Sequence, residues 1–237
     1  MTSGNAELDA MTSGGFFRDS VTLVSGATGT GKTLLVTHFL AGGVAAGERA
    51  LLVGYEESRG QLFRNARSWG VDFEAMEADG RLKVVCLYPE AQSLPDHLLM
   101  IRELVEEFDP QRLAIDSLSA LERIAPETGF REFLISLTSF IKKHEIAGLC
   151  TATDKSLVGG HSASEQHIST LTDSIILLRY IQQAEFMHRG LMVLKMPGSE
   201  HDKQIRRFTI DTSGMHLGQP LDDAPIVFGD ALGGPST

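Results

Sequence analysis

The chain has 237 residues, 42% of them hydrophobic and 22% charged, with a formal net charge of −10. That length suits one α/β domain with a core large enough to stand without staples, and no apolar run approaches the roughly 20 residues that span a bilayer. The acidic balance argues against a nucleic-acid partner, because such binding draws on a basic face that releases counterions. Lys203, Arg206 and Arg207 lie close together and are read as a solvated strand or rim.

The opening segment, MTSGNAELDAM, is polar and has no charged-then-apolar leader, so a cytoplasmic protein is expected. SVTLVSG, residues 20–26, reads as a buried strand. TLLVTHFLAGGVAAG follows with helical periodicity, and its Gly pair suggests the helix end. ALLVGYEES is a second strand, expected beside the first. Ser58 is a candidate N-cap for the helix RGQLFRNARSWG, which Gly70 would stop. LKVVCLYPE is a third strand, broken at Pro89, and LPDHLLMIRELVEEFDP an amphipathic helix. RLAIDSLSAL is a fourth strand. GFREFLISLTSFIKKHEIAG is a helix with Lys142 and Lys143 in its last turns, where the dipole favours cations. GLCTATD is a fifth strand. Cys86 and Cys150 sit in apolar strand contexts and are read as small core residues rather than a disulfide.

This alternation implies a mostly parallel sheet covered by helices on both faces. Beyond residue 170 the runs SIILLRYI, GLMVLKMP and QIRRFTID leave no room for helices and are expected to extend the sheet as antiparallel hairpins. The expected organisation is one domain over residues 1–217. Residues 218–237, rich in Gly, Pro and Asp, form a poorly anchored tail.

The chemistry concentrates at GATGTGKT, Gly26 to Thr33, which fits the phosphate-loop pattern in full and lies between a strand and a helix. Its glycines let successive N–H groups face one anion, and the helix adds its positive end. Lys32 supplies a mobile charge for the outer phosphates and Thr33 a hydroxyl for Mg²⁺. Asp116, at the end of RLAID, stands where open α/β sheets bind ligands and is the expected metal carboxylate. Glu56 and Glu57 end the second strand and point to opposite sides of an extended chain. One is a candidate base near the terminal phosphate, the alternative being two solvated glutamates at a helix start.

These stretches, with GGFFRDS, YEESRGQLFRNARSWGVDFE, AIDSLSAL, HISTLTDSIILL and GSEHDK, resemble the KaiC family of clock ATPases and autokinases, its C-terminal kinase domain in particular. The resemblance runs from about Ser3 to about Gly214. It implies a RecA-like fold and a homohexameric ring with ATP between neighbouring subunits, and clock partners of the KaiA and KaiB type. Carried onto this chain, Thr28, Gly29, Thr30, Gly31, Lys32, Thr33 and Leu34 form the ATP loop, with Trp69 beside the nucleotide. Thr33, Asp116 and Glu56 attend the Mg²⁺, Glu56 is the catalytic glutamate and Glu57 its companion. Arg189, Lys195, Met196, Ser199, His201 and Lys203 match residues that reach the ATP of the adjacent subunit. Ser169 and Thr170 match the pair that family members phosphorylate on themselves, with Ser164 near them, and Asp173 would oppose an added phosphate.

The chain departs from the family at two places. Pro197 stands where a well-studied subgroup has Arg, and Glu200 where it has Trp; losing a finger-like cation costs orders of magnitude in phosphoryl transfer. Clock-type members usually carry two tandem halves, and this chain corresponds to one. An ATPase module that does not modify itself and a RecA-type DNA motor are the alternatives, the second disfavoured by the acidic balance.

Overall fold

The computed structural model describes residues 1–153, 168, 170–183 and 185–221. In chain order the elements are α1 (Ala6–Met11), β1 (Val21–Gly26), α2 (Lys32–Ala45), β2 (Ala50–Gly54), α3 (Arg59–Ser68), α4 (Phe73–Ala78) and β3 (Leu82–Cys86). They continue as α5 (Leu94–Phe108), β4 (Arg112–Asp116), α6 (Leu118–Glu122), α7 (Glu127–Lys143) and β5 (Ala147–Thr153). The chain then forms β6 (Ser174–Gln183), β7 (Phe186–Lys195), β8 (Arg206–Asp211) and β9 (Gly214–Pro220).

Among the described residues these strands make one sheet in the order β3-β2-β4-β5-β1-β6-β7-β8-β9. The first six positions are joined by parallel pairings, and β6 onward by antiparallel ones. The RecA-like α/β reading is therefore the observed architecture. Two apolar cores lie on the two faces. One gathers α1, α2, α3 and α4 with residues such as Phe39, Phe63 and Phe73; the other gathers α5, α6 and α7 with Phe130, Leu137 and Ile101. Strands β2 and β4 are buried along their whole length, as helices on both sides require.

The helix caps follow the sequence closely. Ser58 and Gln61 form a reciprocal capping box at α3, and Ser93 with Asp96 does the same at α5. Cys150 is buried in β5 and Cys86 half-buried at the end of β3; both are free thiols. Several boundaries differ. The second strand stops at Gly54 and the third at Cys86, where the chain turns toward the site. The fourth stops at Asp116, and the expected continuation SLSAL is the short helix α6. The second strand does not adjoin the first: β2 lies between β3 and β4, and β1 between β5 and β6.

Helix α2 runs through the Gly pair to Ala45 instead of ending there. The reason is close approach: a Cβ on Gly43 would lie 2.3 Å from Nε of Arg112. Arg112 is completely buried, donates to Glu48 (2.6 Å), Thr2 O (2.7 Å) and Phe39 O (2.6 Å), and stacks over the Phe39 ring. It ties β4, α2 and the N-terminal arm together, and the glycine makes room for it. The arm is tied to β9 by Asn5 Nδ2, which donates to Met215 O at 2.7 Å. Strand β9 carries the chain to Pro220, past the expected start of the tail at 218.

Candidate nucleotide site

The phosphate loop leaves β1 at Gly26 and enters α2 at Lys32. Gly31 is the N-cap of α2 in the left-handed region, φ 111°, a conformation that a side chain there would strain. The first N–H groups of a 14-residue helix thus open onto the loop. Thr30 Oγ1 donates to Ala27 O at 2.7 Å, and Lys32 Nζ donates to Gly26 O (2.8 Å) and Ala27 O (3.1 Å). Burial pulls the Lys32 ammonium below its ordinary range, opposed by the charges of Asp116 and Glu56. Leu34 is buried in the core, so its contribution to the loop is its backbone.

The β4 strand delivers Asp116 to the loop. Its Oδ2 accepts from Thr33 Oγ1 at 2.7 Å, and its Oδ1 accepts from Thr151 Oγ1. Burial raises the Asp116 carboxyl, and the two hydroxyl donors pull it back. Glu56 and Glu57 were expected to end the second strand, but β2 stops at Gly54 and the chain bends through residues 55–57; the two carboxylates meet different partners. Glu57 is half-buried, accepts from Asn65 Nδ2 at 2.8 Å, and is raised by burial and then by the charge of Asp116, with hydrogen bonds from Asn65 and Thr33 opposing. Glu56 is exposed and paired with Arg123 at 3.6 Å, yet its charge still acts on Lys32 and Asp116. Both glutamates line a cleft of about 420 Å³ together with Tyr55, Arg59, Tyr88 and Arg123.

The donor set is a hydroxyl and carboxylates, hard oxygens that suit Mg²⁺. Among the described residues no group of three or more His, Cys, Asp and Glu side chains could hold a metal. Mg²⁺ commonly takes one or two protein oxygens and completes its shell with phosphates and water. Thr33 and Asp116 would hold it, with the glutamates behind.

The residues expected to face a neighbour are spread along β7 and the turn after it. Arg189 lies against the loop of its own chain: Nε donates to Gly29 O at 3.4 Å and the guanidinium stands over the Tyr180 ring. Lys195 Nζ donates to Thr172 O at 2.7 Å, at the end of the HISTLTDS stretch. Met196 has its side chain in the core at 5% exposure, so only its backbone is available to a ligand. Ser199 and His201 are partly buried, and His201 Nδ1 stands 3.4 Å from Ser199 O. Lys203 and Pro197 are exposed. Trp69 caps α3 and packs partly buried against the core. Ser164 and Ser169 lie outside the described residues; Thr170 is exposed. Asp173 is not a free charge facing that stretch: it accepts from Lys142 at 2.7 Å and from Val21 N at 2.9 Å.

Thr151, Asn65 and Arg123 were not singled out from sequence. Thr151 had a signal, a hydroxyl inside the apolar run GLCTA; the others sit on a helix face and a loop where polar residues are unremarkable.

The family description "ATPase: KaiC" matches residues 1–222. The chain is 61% identical over 221 residues to a circadian clock protein KaiC3 of Synechocystis sp., covering 93% of this chain and 44% of that protein. It is 53% identical over 214 residues to a circadian clock oscillator protein KaiC of Picosynechococcus sp., covering 90% and 42%. With the oscillator protein KaiC of Synechococcus elongatus the figures are 52% over 214 residues, 90% and 41%. The chain thus spans less than half the length of these curated relatives.

Proposed function

The chain belongs to the KaiC ATPase family, and on that premise we propose that it binds Mg-ATP and transfers the γ-phosphate both to water, slowly, and to Ser169 or Thr170 of an adjoining copy in a homohexamer. The observation that supports this most directly is the convergence of Lys32, Thr33, Asp116 and the Glu56–Glu57 pair at one end of the parallel strands. Mg²⁺, when bound, neutralises charge on the phosphate oxygens. The protein's part is positioning and charge placement. Backbone N–H groups of the loop and the α2 terminus hold the phosphates. Lys32 gives up its carbonyl contacts and places an ammonium beside them. Glu56, on the open side of the cleft, accepts the proton of the attacking hydroxyl or water. The reverse reaction uses the same groups and returns the phosphate to ADP. Clock partners of the KaiA and KaiB type, implied by the family resemblance, are part of this proposal.

Thr170 is exposed, as an acceptor must be, and Lys195 bonds to the carbonyl of Thr172, two residues on. A cation from the 195–203 turn is thereby held next to the acceptor segment. Pro197 favours a second reading, an ATPase module without self-modification, because it leaves that turn one cation short of the family subgroup.

Incubation with Mg-ATP, light scattering and phosphopeptide mapping on one sample distinguish the two. We expect a hexamer labelled at Ser169 or Thr170, and no label in Glu56→Gln. A confirmed hexamer that releases phosphate while both residues stay unmodified selects the second reading.

A further inference from the structure

Asp116 has two carboxylate oxygens and each has its own hydroxyl donor. Thr33 comes from the phosphate loop. Thr151 comes from β5, the strand between β4 and β1, and is completely buried. Alternation explains where it points. Leu149, two residues earlier, belongs to the core under α2, whereas Cys150 belongs to the opposite core. Thr151 therefore shares the face that carries α2 and the loop. Its register partner on β1 is Val24, two residues before the loop begins. A valine would fill the same volume, so the hydroxyl is the feature that distinguishes the residue.

We propose that Thr151 is a positioning residue for metal–nucleotide binding: by holding Oδ1 of Asp116 it fixes the carboxylate plane so that Oδ2 faces Thr33. The claim rests on the Mg-ATP reading above. A carboxylate with only one donor turns about its Cβ–Cγ bond and offers its oxygen to the metal in one orientation among several. Two donors from different elements leave one orientation. Outer partners of this kind are worth about 10–100-fold in metal affinity.

A merely structural Thr151 would satisfy a buried carboxylate and weaken everything the site binds to the same degree. Fluorescent mant-ADP binding, titrated with and without Mg²⁺, separates the two roles without relying on turnover. In Thr151→Val we expect the Mg²⁺ concentration for half-maximal effect to rise about tenfold and metal-free affinity to stay within about twofold, with Thr151→Ser restoring the unsubstituted value. Should Thr151→Val not fold, Thr151→Cys, a poor donor of similar size, takes its place under the same outcomes. An unchanged Mg²⁺ requirement, or equal losses with and without metal, overturns the positioning role. If the unsubstituted chain itself shows no metal effect on mant-ADP binding, the Mg-ATP reading falls and this claim with it.

Discussion

The parallel half of the sheet and the antiparallel half bury their side chains to different degrees. Strands β2 and β4 are buried end to end; Asp116, at the tip of β4, is partnered by two hydroxyls, and Lys32, where α2 begins beyond β1, by two carbonyls. Strand β7, by contrast, is buried only in part of its length and leaves Phe186, Met187 and Leu194 at 69%, 62% and 52% exposure. The difference follows from connectivity. Crossover helices cover a parallel strand on both faces, whereas hairpins bring no cover with them. Phe186 and Met187 stand at the start of β7 and Leu194 near its end, so these are separate bare apolar side chains along one hairpin strand. The parallel half holds the loop and Asp116, while the antiparallel half carries Arg189 against Gly29 of that loop, Lys195 against Thr172 and, beyond β7, the exposed Lys203. In a ring, one half would supply the site and the other its completion.

The largest expected effect breaks the parallel half alone. Lys32→Ala removes the ammonium that the proposed function places at the phosphates, and phosphate release under saturating Mg-ATP should fall about a thousandfold, roughly 4 kcal/mol. Helix α2 begins at this residue and alanine is a good helix former, so the fold should survive, which circular dichroism checks. A loss under tenfold would mean that a cation from the antiparallel half already does this work.

Next comes stability. Arg112→Met takes away a buried guanidinium that serves Glu48 and two backbone carbonyls. Glu48 keeps its bond from Arg18 at 3.2 Å, but losing its buried partner and the donor to Thr2 O and Phe39 O should lower unfolding stability by about 3 kcal/mol in urea titration. The same kind of change on β7, such as Phe186→Ser, should cost a small fraction of that in a single chain, since the residue is already exposed. Equal costs at the two places would erase the contrast between the halves.

Much of this was legible beforehand because it depends on local chemistry. The phosphate loop needs glycines and a lysine at fixed spacing, the N-cap of α3 needs a residue such as Ser58, and buried strands need unbroken apolar runs. Position in the sheet is a different matter. Nothing in ALLVG says which strands it neighbours, so β2 was expected beside β1 and lies between β3 and β4. The Gly pair of α2 reads as a stop because the reason for it, Arg112, comes about seventy residues later. RLAIDSLSAL looks like one apolar run, yet Asp116 must end its strand to present the carboxylate, and the remainder coils into α6. The glutamates show the same limit. Alternation would separate Glu56 from Glu57, but only the fold shows Glu57 turned toward Asn65 and Thr33 and Glu56 toward Arg123.

The smallest effect lies where the halves meet. His38, on α2, packs its ring against the backbone of Gly214 at the β8–β9 turn, with His216 from β9 and Glu7 from α1 the charged neighbours that act on it. Burial first, and then His216, depress its pKa, while Glu7 opposes them. The folded chain therefore keeps His38 neutral at a pH where the unfolded chain would protonate it. That contribution is intact above the ordinary histidine value near 6.5 and is lost as pH falls toward the depressed one. Urea midpoints between pH 7.5 and 5 should decline with a slope from this group of at most about 1.4 kcal/mol per pH unit, the limit for one proton. In His38→Gln the decline should flatten. An unaltered slope in that variant would mean that protons enter elsewhere on acidification, and that the α2–β9 joint is held by packing without a charge-sensitive element.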